Sequence, residues 1–432
     1  MEELRSLARR VLALLAEESA SLYTLSLTKG ETRELNTELE NFSLYRTVFS
    51  HSLNLTVLNG TRRGSASGND LSEEGIRRVV REAVDNAASS PEDPANAIAE
   101  NEGEDRFLCG TLEPDMDSLY RRIREFMDGV GREYPRVRLL QIVGSHTRSC
   151  SLYLNSSGTR FETRRGSYLV TMEFSAAEGE NRTGLDSLAF TTQDMDRPFL
   201  EQKWVRQHME DVQKSLCPLA LRDKFEGTVV FTPDCLGSML SMLMDNYLAS
   251  HVIIDGTSQW LNRIGEKVAD ERISLSLPPE DPRLAMAYPV SADGYRCEHV
   301  RLLDRGVLRS HVLSLYAARK TGRSVTRTAG RNLVMEKGDT PLADIIASID
   351  HGLVVGGFSG GHPGPSGEFS GVAKNSFLIE KGRITGAVTE TMINGNLEQL
   401  FRRVRAVSAE QVCDGECILP YLACDGVVIS GK

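Results

Sequence analysis

The chain carries eight histidines, at positions 51, 146, 208, 251, 299, 311, 351 and 362, and eight cysteines scattered from Cys109 to Cys424. Activation of water by zinc needs paired ligands on one rigid element, usually histidines one helical turn apart beside a glutamate. No two of these histidines fall within one turn of each other and no His-Glu dipeptide occurs. The sequence therefore has no H-E-x-x-H site. Nor do the cysteines form a C-x-x-C pair, so neither a zinc ribbon nor a disulfide framework is indicated, and reduced thiols in a cytoplasm are expected. The one local grouping is "RCEHVRLLDRGVLRSHV", which brings Cys297, His299 and His311 together; with Cys413 of "VCDGECILPYLACDG" it forms an alternative ligand set. Its first reading is a hairpin turning at Asp304-Arg305-Gly306, with Cys297 and His299 on one side of a strand and Glu298 on the other.

Other chemistries find less. The serines lack a G-x-S-x-G elbow, and the glycine clusters lack both G-x-x-x-x-G-K-[ST] and a strand-preceded G-x-G-x-x-G, so nucleophilic and nucleotide-binding sites are unsupported. What remains is "GGFSGGHPGPSGEFSGVAKNSF", from Gly356 to Phe377. Small residues there let an extended ligand approach the backbone and add to a sheet edge. The candidate peptide-binding residues are Ser359, Gly360, Gly361, His362, Ser366, Gly367, Phe369 and Ser370.

These candidates must be positioned by a large soluble scaffold. The 432 residues exceed one ordinary core, and 40% apolar with 25% charged residues is ordinary for a globular protein. A formal net charge of −10 disfavours binding to phosphate backbones. Membrane spans are not expected, because no apolar run approaches the roughly 20 residues a bilayer requires. Leu4, Leu7, Ala8, Val11, Leu12 and Leu15 recur at helical spacing, as do Ile76, Val79, Val80, Ala83, Val84 and Ala87 after an expected Asp70/Glu73 capping box. A third stripe runs from Leu119 to Val130. Between these helices, period-two alternation predicts strands: Leu53, Leu55 and Val57 before an Asn59-Gly60 turn, then Arg138 to Phe174 with turns at "NSSGT" and "RRGS". "SSPEDPANAIAENEGED" reads as a surface excursion.

The fold class is α+β. Residues 1–220 form an N-terminal domain of helices packed on an antiparallel sheet, and residues 221–432 a mostly antiparallel β domain with a few helices. The second domain opens with the helix of "TPDCLGSMLSMLMDNYLASHV", whose methionine-rich stripe reads as core.

Several stretches together resemble the TldD/PmbA family, a metallopeptidase family once named modulators of DNA gyrase. The resemblance rests on "RRGSASGNDLSEEGIRRVVREAVDNAASSPEDPA" and "LNSSGTRFETRRGSYLVTMEFSAAEGENRTG" in the first domain. In the second it rests on "GVLRSHVLSLYAARKTG", "GLVVGGFSGGHPGPSGEFSGVAKNSFLIEKGRITGAVTETMINGNL" and "ECILPYLACDGVVISGK". TldD-type subunits carry zinc on an H-E-x-x-x-H helix and a late cysteine, whereas PmbA (TldE)-type subunits lack the helix motif. In this chain the corresponding helix has no His-Glu, and its ligand face reads as Ser, Leu and Met; the late cysteine falls near Cys413 or Asp414. The chain resembles the PmbA kind. The resemblance implies no metal in this chain, zinc in a TldD-like partner, a heterodimer with that partner or a homodimer, and unfolded peptide as ligand, with Ser359 to Ser370 near the peptide path. Proteolysis would then depend on the partner. The rival expectations are an independent metal-dependent peptidase using Cys297, His299, His311 and Cys413, or a regulatory protein acting on gyrase; neither nucleic acid nor membrane is an expected partner.

Overall fold

A computed structural model describes residues 1–221 and 223–431. Two sheets organise them. The first holds β1 (Leu22–Glu38), β2 (Asn41–Asn59), β3 (Arg62–Gly68), β4 (Glu104–Gly110), β5 (Val137–Asn155), β6 (Arg160–Glu178), β7 (Asn181–Arg182) and β8 (Asp186–Thr192). Its main path is β3-β2-β1-β5-β6-β4, with β7 and β8 also on β6, and all pairings are antiparallel except β4 on β6. Period two decides its faces. Leu25, Leu27, Leu53, Leu55 and Leu152 are buried under helices α1 (Glu2–Glu17) and α2 (Glu73–Ser89). Farther along the same face lie α3 (Met116–Glu133) and α4 (Lys203–Lys214), which bury Ile123, Phe126, Val205 and Met209. The opposite face presents Thr24, Ser26, Asn54, Thr56, Ser149, Ser151 and Thr163 to a cavity of about 350 Å³ that the second domain closes.

Local details depart from the sequence reading in three places. Helix α2 is capped by Ser72, whose side chain accepts from the Gly75 N–H at 3.1 Å, while Asp70 accepts from the Ser72 N–H at 2.9 Å; the cap is two residues later than the Asp70/Glu73 box. "RRGS" is not a turn: Gly166 lies inside β6, where a Cβ would stand 2.0 Å from the Thr111 carbonyl. The glycine is needed for that close approach. The acidic segment after α2 is no bare excursion. Asp93 accepts from Lys320 Nζ and from Tyr316 Oη, each at 2.8 Å, and Glu102 pairs with Arg327 at 2.9 Å, so the segment fastens the two domains together. These donors, the lysine first, hold the Asp93 carboxyl down at about 2.

The second sheet comprises β9 (Leu219–Ala220), β10 (Lys224–Phe231), β11 (Leu275–Leu277), β12 (Val300–Asp304), β13 (Val307–Leu308), β14 (Val334–Met335), β15 (His351–Gly360), β16 (Glu368–Glu380), β17 (Arg383–Thr389), β18 (Met392–Asn396), β19 (Val404–Cys413) and β20 (Ile418–Ser430). Most pairings are antiparallel, but β10–β15, β14–β20 and β17–β9 run parallel. Against this sheet lies α5 (Pro233–Tyr247), capped by Thr232, with Leu236, Met239, Leu240, Leu243 and Tyr247 fully buried. The expected hairpin at Asp304-Arg305-Gly306 is present as β12–β13. Cys297 and His299 precede its first strand, so the expected strand alternation does not apply to them.

One buried charge ties α1 to the sheet. Glu162, on β6, accepts a bidentate pair from Arg5 at 2.8 Å per bond and a third bond from Arg160 at 2.9 Å. These guanidinium donors, Arg5 foremost, lower its carboxyl from 4.5 to about 2. Removing one partner strands the others, so Glu162→Ala is expected to lower unfolding free energy by about 2–3 kcal/mol in denaturant titration at neutral pH. Because the folded carboxyl titrates below the unfolded one, this stabilisation is complete above pH 4.5. It should fade as pH falls towards about 2, and a difference between the two proteins that stays constant over that window would refute the assignment.

Candidate functional site

The sequence reading puts Ser, Leu and Met on the candidate ligand face of α5. In the structure Leu236, Met239, Leu240 and Leu243 turn into the core, and the exposed stripe is Asp234, Ser238, Ser241 and Asp245, at spacings of four, three and four residues. The stripe forms the floor of a cleft of about 540 Å³, facing Tyr288, Arg331, Asn332, Asp414, Glu416 and Cys417. Asn332, in the left-handed region at φ 63°, donates through Nδ2 to the Met286 carbonyl at 2.9 Å, while its buried Oδ1 has no partner. Tyr288 is flanked by two guanidinium groups, Arg165 from β6 at 4.7 Å and Arg331 at 5.7 Å from the ring centroid. The cleft thus offers carboxylates, hydroxyls and an orphan carbonyl oxygen.

Its far wall is the turn between β19 and β20. Asp414 accepts from the N–H groups of Glu416 at 2.8 Å and Cys417 at 2.7 Å, yet burial outweighs these bonds and raises its carboxyl. Burial likewise pushes the Cys417 thiol up to about 12, leaving it protonated and a poor nucleophile at neutral pH. Gly415, at φ 93°, lies against the first domain, where a Cβ would come within 1.8 Å of the Thr191 carbonyl. The Thr191 N–H donates in return to the Asp414 carbonyl at 2.7 Å.

The alternative ligand set does not assemble. Cys413 donates to the Arg283 carbonyl at 3.2 Å and lines a separate cavity with Thr191 and Gln193. His311 is buried on the Trp260 carbonyl at 3.1 Å, and burial lowers its pKa. Cys297 is pushed up to about 11 by burial, and His299 is exposed. Among the described residues no group of three or more His, Cys, Asp or Glu side chains is placed to hold a metal ion. The donors along α5, two carboxylates eleven residues apart with serines between, do not fit a zinc centre.

The glycine-rich stretch is firmly seated. Strands β15 and β16 pair as far as Gly360 with Gly371, and the connection folds back over the C-terminal end of α5. Asn246 Nδ2 donates to the Gly364 carbonyl at 3.2 Å, Gln259 Nε2 to that of Pro365 at 3.2 Å, and Asn396 Nδ2 to that of Ser366 at 2.7 Å. Asn246 directly follows Asp245 of the cleft floor, so this connection borders the cleft. Ser359, Gly360, Gly361, His362, Ser366 and Ser370 are exposed, with Ser370 bonded to Asn394. Gly367 and Phe369 are buried, Phe369 edge-on to Phe358 within the core. Sequence reasoning put Ser on this face of α5 but missed Asp234 and Asp245, although polar residues at i, i+4, i+7 and i+11 of an otherwise apolar helix were a legible signal. Asn332, Tyr288 and Cys417 come from loops and had none.

A largely antiparallel sheet covered by helices, followed by a mixed sheet packed on α5 with a polar cleft along that helix, defines a two-domain α+β protein. The chain belongs to the PmbA/TldD metallopeptidase family: residues 225–431 match the PmbA/TldA metallopeptidase C-terminal domain and residues 23–87 match PmbA/TldA metallopeptidase domain 1. It is 23% identical over 400 residues to metalloprotease PmbA of Escherichia coli O157:H7, covering 87% of this chain and 86% of that protein. A PmbA homologue of Haemophilus influenzae is 23% identical over 94% of this chain and 91% of its own. The fold matches crystal structures of TldE from Thermococcus kodakarensis, with TM-score 0.83, 20% identity and coverage of 96% and 98% of the two chains, and of a proposed DNA gyrase modulator from Bacteroides thetaiotaomicron, with TM-score 0.86, 23% identity and full coverage of both.

Two outcomes check the geometry. Gly367, at φ 81°, would place a Cβ 2.1 Å from Tyr247 Oη, so Gly367→Ala should destabilise the fold by about 1–3 kcal/mol in thermal or denaturant melts. Alkylation at pH 8 should modify exposed Cys217 and spare Cys417; rapid labelling of Cys417 in the folded protein would contradict its raised pKa.

Proposed function

We propose that this chain is a PmbA/TldE-type subunit that binds unfolded peptide and completes the substrate chamber of a zinc-bearing TldD-like partner, without being a peptidase alone. The observation that carries this reading is the face of α5. Where the family resemblance puts a zinc motif, this chain has a polar cleft whose serines, carboxylates and neighbouring loop backbone suit hydrogen bonding to an extended peptide rather than water activation. The neighbouring glycine-rich connection adds exposed backbone at one end of that path.

Pairing with a partner is supported by β2. Its partner β3 covers only Leu53 to Asn59, and from Ser43 to His51 every residue is exposed, including Leu44, Tyr45, Val48 and Phe49. A long, apolar, unpaired edge is a liability unless another chain covers it.

The test is metal content and casein hydrolysis on protein purified without a metal-affinity tag, with and without a TldD-type partner. Expected are no stoichiometric zinc, no hydrolysis alone, and hydrolysis with the partner. Ser241→Trp should reduce the paired activity by about tenfold or more without dissolving the pair, an effect of at least ~1.4 kcal/mol. Val48→Lys with Phe49→Lys should weaken pairing on size exclusion while leaving the monomer folded. One zinc per chain with hydrolysis by the chain alone would overturn the proposal. Association with gyrase but no peptide or partner binding would favour the regulatory reading instead.

A further inference from the structure

A further cavity, of about 240 Å³, lies between α4 of the first domain and the second sheet. Part of its wall is apolar, with Trp204, Val354, Phe377, Ile384 and Tyr421 contributing. Its size exceeds the roughly 150 Å³ that suffices for benzene in an engineered apolar cavity. It therefore has room for one aromatic or branched aliphatic group.

The charges at its edge decide what such a group must carry. Three carboxylates line the cavity, Asp186, Asp211 and Asp234, against two cationic partners, His208 and Lys214. His208 is committed to Asp234, with Nε2 at 2.9 Å from Oδ2, and Asp186 accepts from Asn375 Nδ2 at 2.8 Å. Asp186 has no ion pair among the described residues, and Asp211, on α4 beside Trp204, has only a long one. Asp211 accepts from the neutral Gln207 amide at 2.7 Å, and its ion pair to Lys214 at 3.5 Å is shared with Glu210 at the same distance. Burial raises its carboxyl, outweighing the lowering effects of Gln207, Lys214 and His208. The rim carries three carboxylates against two cations, so an ammonium is favoured over an anion and would give Asp211 a closer positive partner than Lys214.

We propose that this interdomain cavity binds an apolar group bearing a protonated primary amine, with the ammonium on Asp211 and the apolar body between Trp204 and Phe377. Two sources share that chemistry: a free arylalkylamine, and the N-terminus of a peptide whose first residue is large and apolar. The second source rests on the peptide-binding reading, because Asp234 lines both this cavity and the cleft along α5.

Trp204 reports occupancy directly, since the chain's other tryptophan, Trp260, is fully buried in the second core. The intact chain at pH 7 is titrated with 2-phenylethylamine, ethylbenzene and 3-phenylpropionate while Trp204 emission is followed. Expected is saturable binding of the amine at least about tenfold tighter than ethylbenzene, and none of the acid, a preference of ~1.4 kcal/mol or more. Asp211→Asn should remove that preference, leaving ethylbenzene affinity within about twofold, and Val412→Phe, which fills the cavity, should abolish both; melting curves establish that the variants fold. Equal binding of the three probes, or an amine preference that survives Asp211→Asn, would overturn the proposal. Phe-Ala-Ala with a free or acetylated N-terminus separates the sources: binding of the free form alone identifies a peptide end, and binding of phenylethylamine but neither peptide identifies a free amine. Ser241→Phe, which blocks the α5 cleft without adding a tryptophan, should leave the amine titration unchanged, so this inference and the peptide-chamber reading can fail separately.

Discussion

The burial of α5 is the constraint on which the rest depends. Leu236, Met239, Leu240, Leu243 and Tyr247 leave this helix no rotational freedom against the second sheet, because turning it would expose several fully buried side chains, each worth about 1.5–3 kcal/mol. With the apolar side held, Asp234, Ser238, Ser241 and Asp245 are left exposed. The cleft, its polar character and its lack of a metal-ligand set all follow from that orientation. So does the seat of the glycine-rich connection, which rests on Tyr247 and Asn246 at the end of the same helix.

The first domain is held to this centre by contacts of two kinds. Charged pairs join the segment after α2 to the second domain, through Asp93 with Lys320 and Glu102 with Arg327. Close backbone packing joins the β19–β20 turn to β8, where Gly415 admits the Thr191 carbonyl and Thr191 donates back to Asp414. Exposed ion pairs alone contribute little. The close packing is less forgiving, since any side chain at position 415 would collide with backbone. Asp414 therefore serves two roles, forming a wall of the cleft and a clasp between domains.

Much of the fold was readable because its helices and strands carry clean periods. The stripes from Leu4 to Leu15, Ile76 to Ala87 and Leu119 to Val130 became α1, α2 and α3, and the alternation of Leu53, Leu55 and Val57 became the buried side of β2. Errors arose where a local signal had a tertiary cause. Gly166 looked like a turn residue but is required by a neighbouring strand connection, and the proline-bearing acidic segment looked solvated but has partners more than 200 residues away.

By itself, the sequence determined the α+β class, the amphipathic elements, the lack of a His-Glu pair and the likeness to one family, because these depend on residue identity and short-range spacing. Tertiary structure decided what those residues face. Which side of α5 lines a cleft, why Cys413 and Cys417 fall on different cavities, and why burial raises the Asp211 carboxyl are set by segments far apart in the chain. Burial and charge compensation are properties of such juxtapositions, and spacing along one chain does not encode them locally.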